Sequence, residues 1–98
     1  MNKSIHIIVE LSAKEGKLEE MKQIFEELAR ETRNEDGAID YIFIEDQNKP
    51  NTLLSIEKWE SEDAEAKHWE TPHLKEALKK AEEVLAGKPI IHKGLQVV

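Results

Sequence analysis

The chain has 98 residues, 36% of them charged and 39% apolar, with a formal net charge of −7 and no cysteine. That length holds one domain, spanning residues 1–98, with a thin core. The acidity argues against a nucleic-acid partner, because a phosphate backbone is held by clustered Lys and Arg. The missing thiols exclude disulfides, zinc thiolates, iron–sulfur clusters and cysteine nucleophiles. No apolar run is long enough to span a bilayer, and residues 1–6 lead into a strand pattern without a small-residue cleavage site. No membrane partner and a cytoplasmic location are therefore the expectations.

Residues 4–12 alternate as a strand, with Ile5, Ile7, Val9 and Leu11 on one face. Leu18, Met21, Ile24, Phe25 and Leu28 then recur at three and four, the period of an amphipathic helix. Asn34-Glu35-Asp36-Gly37 stops it, Gly37 suiting a left-handed cap. A second strand is expected over 38–46, with Ile39, Tyr41 and Phe43 on one face and Ile42 and Ile44 on the other. Turn residues at 47–51 join it to a third strand over 52–59, forming a hairpin.

Ser61 is placed to cap a short acidic helix. Thr71-Pro72 interrupts it, Thr71 capping again and Pro72 fitting the first helical position. Leu74, Ala77, Leu78, Ala81 and Leu85 mark the main second helix. A last strand is expected over 90–98, with Gly94 a bulge or close-approach point. The order is βαββαβ: an α+β, ferredoxin-like, four-stranded antiparallel sheet with its helices on one face.

The opposite sheet face ought to be polar, yet Ile8, Ile42, Ile44, Leu54 and Ile56 alternate onto it. Left bare, it exceeds the apolar patch that monomers usually expose. An identical chain is the economical cover, so a homodimer through the sheet face is expected.

The segments Glu57-Lys58-Trp59 and His68-Trp69-Glu70-Thr71-Pro72-His73 carry a more specific signal. A strand ending in E-x-W, a short acidic helix, then H-x-x-T-P-H opening a longer helix resembles the antibiotic-biosynthesis monooxygenase family, with its quinol monooxygenase branch nearest. The resemblance runs over nearly the whole chain, including Gly37 and the tail after Gly87-Lys88-Pro89. It implies a dimeric α/β barrel with a pocket between sheet and helices. It also implies oxidation of a small phenolic, quinol or polyketide-like substrate by O2, with no cofactor. Other members isomerise signalling metabolites or cleave haem. Leu78 stands near the place of the haem-binding histidine, and the first strand has no Asn, which argues against haem cleavage.

Cofactor-free oxygenation needs an electron-rich substrate made anionic, hence a proton acceptor in an apolar pocket. His68 is the candidate catalytic residue by type. Trp59, at the position matching the family's pocket tryptophan, reads as a pocket wall or a core aromatic. His73 reads as a substrate contact or a structural donor at the helix break. Tyr41 and Trp69 read as substrate contacts or as core and interface residues. Glu57 shares a strand face with Leu53, Ser55 and Trp59; buried, it needs a partner or a raised pKa, and at an edge it is simply solvated. No two histidines show helical i, i+4 ligand spacing, and His68 and His73 are separated by a proline, so no metal is expected. An isomerase, or a dimeric small-molecule binder without catalysis, remains an alternative on the same scaffold.

Overall fold

A computed structural model describes residues 4–98; Met1, Asn2 and Lys3, which the single-domain expectation includes, lie outside the described residues. The elements are β1 (Ile5–Ser12), α1 (Leu18–Thr32), β2 (Ala38–Glu45), β3 (Thr52–Trp59), α2 (Glu62–His68), α3 (Pro72–Ala81) and β4 (Ile90–Leu95). The four strands form one antiparallel sheet in the order β2-β3-β1-β4. This is the ferredoxin-like α+β arrangement. No described helix is long and apolar enough to cross a membrane.

The register fixes which side chains face the helices. Ile5, Ile7, Val9 and Leu11 lie opposite Trp59, Glu57, Ser55 and Leu53. Tyr41 and Phe43 continue the same rows on β2. Met21, Phe25, Leu28 and Ala29 of α1, with Leu74, Ala77 and Ala81 of α3, close over this face to make the core. The helical stripes read from the sequence are the buried faces, since a period of 3.6 puts those positions on one side of each helix.

Both helix starts form as their residues dictate. Ser61 Oγ accepts the Ala64 N–H at 3.2 Å, and Thr71 Oγ1 accepts the Leu74 N–H at 3.3 Å. Pro72 occupies the first turn of α3, where its missing N–H is not needed. Gly37 has a φ of +87°, and a Cβ there would lie 2.5 Å from the Ala64 Cβ. The glycine therefore permits both the turn into β2 and the close approach of α2.

Four expectations are corrected. Ile39 does not join Tyr41 and Phe43 inside, because a bulge between Ala38 and Asp40 breaks the alternation and leaves Ile39 49% exposed. Gly94 is neither bulge nor close-approach point: it pairs with His6 in unbroken register, and a Cβ there would meet nothing within 4 Å. The last strand ends at Leu95 rather than 98, opposite Ile5, where β1 begins. Leu85 lies beyond α3, in a bridge to Ala13, where the Lys14 N–H donates to the Val84 carbonyl at 2.8 Å and ties the chain back over the end of β1.

Ile8, Ile42, Ile44 and Ile90 lie exposed on the face away from the helices. Ile8, Ile56 and Ile42 form one continuous row across three strands there.

Candidate functional site

A cavity of about 370 Å³ opens between the sheet and the helices. Its floor is Ile7, Val9, Leu11, Tyr41, Phe43, Ser55 and Glu57, and its roof is Phe25, Leu28, Leu74 and Leu78. His68 and Trp69, from the end of α2, close one side, and Lys88, Pro89 and Ile91 form the other. The walls are apolar, with few polar groups converging inside, the usual construction of a small-molecule site.

His68 is 3% exposed. Its Nδ1 lies 2.8 Å from Glu35 Oε2, and its Nε2 lies 3.4 Å from the Tyr41 hydroxyl. An ionised carboxylate only accepts, so the Nδ1 facing Glu35 carries a hydrogen. In the neutral ring Nε2 is then the acceptor, on the side of Tyr41. The 3.4 Å contact is too long to be strong, so an entering hydroxyl can replace it. Trp59 supports the ring from behind, with centroids 4.8 Å apart and planes inclined by 34°.

Glu57 is buried. Its carboxylate accepts from Ser55 Oγ at 2.8 Å and from Trp59 Nε1 at 2.9 Å. All three side chains share one face of β3, so the period of two builds this cluster within a single strand. Burial pushes the Glu57 carboxyl up from its ordinary 4.5; the Trp59 and Ser55 hydrogen bonds and the neighbouring His68 offset part of that. Burial, reinforced by the charge of Glu57, likewise raises the Tyr41 phenol, which stays protonated as a donor.

The raised Glu57 pKa has a consequence for stability. The folded chain holds this proton more tightly than the unfolded chain does, so stability falls as pH rises from 4.5 through the folded-state value. Glu57→Gln keeps the shape and can still pair with Ser55 and Trp59. We expect it to remove this part of the pH dependence and to be the more stable form at neutral pH, as read from urea midpoints across that range.

The sequence candidates do not all meet in the cavity. Tyr41, His68 and Trp69 line it; Trp59 and His73 do not. Trp59 is fully buried behind Glu57 and His68. His73 sits beyond Glu35, its Nε2 2.6 Å from the same Oε2 that His68 faces. It opens onto a groove between α1 and α3. Trp69 is held by its indole N–H to Glu65, which also pairs with Lys93 of β4 at 3.1 Å. Glu35 and Glu65 carry no distinguishing pattern in the sequence. Glu35 sits in the turn that stops α1, 33 residues before His68, and only the tertiary fold joins them.

The model of the family described as "Antibiotic biosynthesis monooxygenase" matches residues 4–80. "Putative monooxygenase YcnE" of Bacillus subtilis is 32% identical over 76 residues, covering 78% of this chain and 80% of that protein. "Uncharacterized protein sll1783" of Synechocystis is also 32% identical over 76 residues, covering 78% of this chain. The match spans about half of that protein, at 52%. A crystal structure from Caulobacter crescentus CB15 superposes with a TM-score of 0.94 at 24% identity, covering 99% of this chain and 92% of that one. That likeness establishes the fold. Fold and cavity together define a small α+β domain with a sheet-and-helix pocket. The chain belongs to the antibiotic biosynthesis monooxygenase family.

Proposed function

We infer that the chain is an enzyme of monooxygenase type that oxidises a small phenol, quinol or polyketide-like aromatic with O2, the substrate acting as its own reductant. One observation carries this reading: the buried imidazole of His68 borders an apolar cavity with Nδ1 held by Glu35. That arrangement favours the tautomer whose Nε2 accepts a proton, the role of a general base. Family membership and the monooxygenase name of the Bacillus relative support the reaction class.

For a phenol the step balances without outside electrons. His68 Nε2 takes the hydroxyl proton, and the phenolate passes an electron to O2. Recombination forms a C–O bond at ring carbon, giving a peroxide. The O–O bond then breaks; one oxygen stays on the ring and the other leaves as water with the ring C–H hydrogen and the returned proton. The net change is phenol plus O2 to quinone plus water. Tyr41 is positioned to donate to the developing oxyanion, and Trp69 to wall the ring. Trp59 holds the base in place, and His73 holds Glu35.

An oxygen electrode run over a phenol and quinol panel, with 18O2 and mass detection of the product, tests the reaction. Label in the quinone with matching O2 uptake supports it. A second reading has its own observation: Glu57 and His68 border one cavity, and burial pushes the Glu57 carboxyl above its ordinary range. Such acid and base pairs also serve enolisation. Product without O2 uptake assigns the site to isomerisation, and tight binding of panel compounds without turnover assigns it to ligand binding alone.

We also infer a homodimer through the outer sheet face, supported by the exposed row of Ile8, Ile42 and Ile44 and their neighbours. Ile42→Lys puts a charge on that apolar face, at the β2 end of the row, and is expected to yield monomers. Light scattering behind a sizing column reads the mass; an unchanged dimer in this variant would place the contact elsewhere.

A further inference from the structure

His68 and His73 do not lie at ligand spacing in the sequence, yet the fold aims both at one carboxylate oxygen. From Glu35 Oε2, His68 Nδ1 and His73 Nε2 the geometry points to a divalent-cation site of the zinc class. The three atoms all lie within 4.8 Å of one another. Around a tetrahedral zinc, donors at the usual bond lengths stand about 3.3 Å apart. To admit the ion the present 2.6 and 2.8 Å contacts open, while the two nitrogens, within 4.8 Å of each other, adjust to the same spacing. Two imidazoles and a carboxylate are a borderline donor set suited to zinc, with the remaining position left for water.

Charge supplies an independent reason. The Glu35 side chain is only 13% exposed, and among the described residues it forms no ion pair with Lys or Arg. Its close partners are the two histidines, so with both rings neutral a mostly buried carboxylate lacks a compensating charge. A bound cation supplies one. The approaches are also negative. The groove beside His73 carries Glu27, Glu31 and Glu76 against Lys80. The surface beside Glu35 carries Asp36, Glu60 and Asp63 against Lys67. Such surfaces raise the local cation concentration. The N-terminal end of α3 opposes a cation next to His73, a weak effect against three coordinate bonds.

The site has a consequence that rests on the oxygenase reading. A neutral imidazole coordinated through Nδ1 keeps its hydrogen on Nε2, the atom on the Tyr41 side. The loaded chain then presents a donor where the reaction needs an acceptor, so the cation acts as an inhibitor.

The test is calorimetric titration of EDTA-stripped chain with zinc chloride alone, with the visible absorption of a cobalt-loaded sample reporting the ligand geometry. One zinc per chain is expected, weakened at least about tenfold in Glu35→Gln and in His73→Asn, and unaffected in His92→Asn. The His73 side chain is 24% exposed and lies outside the core, so its variant has little reason to misfold, and circular dichroism checks both. No binding at micromolar zinc, or equal binding in both variants and the parent, overturns the site. Zinc binding with undiminished turnover overturns only the inhibition. No turnover by the metal-free chain counts against the oxygenase reading and leaves the zinc result standing.

Discussion

His68→Asn should lower kcat for quinol oxidation by about 10²- to 10⁴-fold, the range expected when a positioned general base is lost. Asparagine can still reach toward Glu35 and fill part of the ring's volume, but it offers no basic nitrogen to the cavity. KM should change little if the apolar walls supply most of the binding, because Phe25, Leu28, Leu74 and Leu78 are untouched. Glu35→Gln should fall between the parent and His68→Asn, since the imidazole keeps its position and loses its fixed acceptor. Steady-state O2 uptake over a range of pH measures all three. The rate of His68→Asn should rise with the concentration of substrate anion, since a more acidic phenol brings its own ionisation. Undiminished turnover in His68→Asn would remove the residue from the chemistry.

Trp59→Ala should destabilise the chain by about 3–5 kcal/mol, the usual cost of deleting a large aromatic from a core. The indole is fully buried and contacts groups from three elements. It lies edge-on to Tyr41 at 6.1 Å, faces His68 at 4.8 Å and donates to Glu57 at 2.9 Å. Removing it leaves a cavity and also strips the buried carboxyl of one of its two donors. A chain of this size has about 5–15 kcal/mol of stability in total, so the variant stands near its folding limit. Trp59→Phe retains most of the volume and loses the N–H, so its smaller loss isolates the polar part. Urea midpoints at constant m read both.

These two residues show what local pattern could and could not reveal. Trp59 and Glu57 were legible as neighbours, because a strand places i and i+2 on one face. The two caps at Ser61 and Thr71 were legible because each is a contact within three residues. Whether Glu57 faced a pocket or water depended on which helix covered β3, and no window of sequence contains that. Glu35 was legible only as a turn residue. Its value comes from meeting two histidines on α2 and α3, and nothing near it in the chain marks the encounter. Ile39 was misplaced for a related reason. The bulge beside it is a property of the pairing of two strands, whereas alternation is a property of one.

The short helix α2 is bounded by two fixed points, the Ser61 cap and the Thr71 cap. Each residue turns a helix by about 100°. One residue added or removed between those caps would leave both able to form, yet would swing His68 away from Glu35 and the cavity. The hairpin tip over residues 47–50 carries no cavity residue and lies at the far end of the strands from Trp59, with the neighbouring Asn51 carbonyl held by the Ala13 N–H. Length variation should therefore be tolerated at that tip and excluded from the span between Ser61 and Thr71. Over that span the chain counts residues, and over the hairpin it does not.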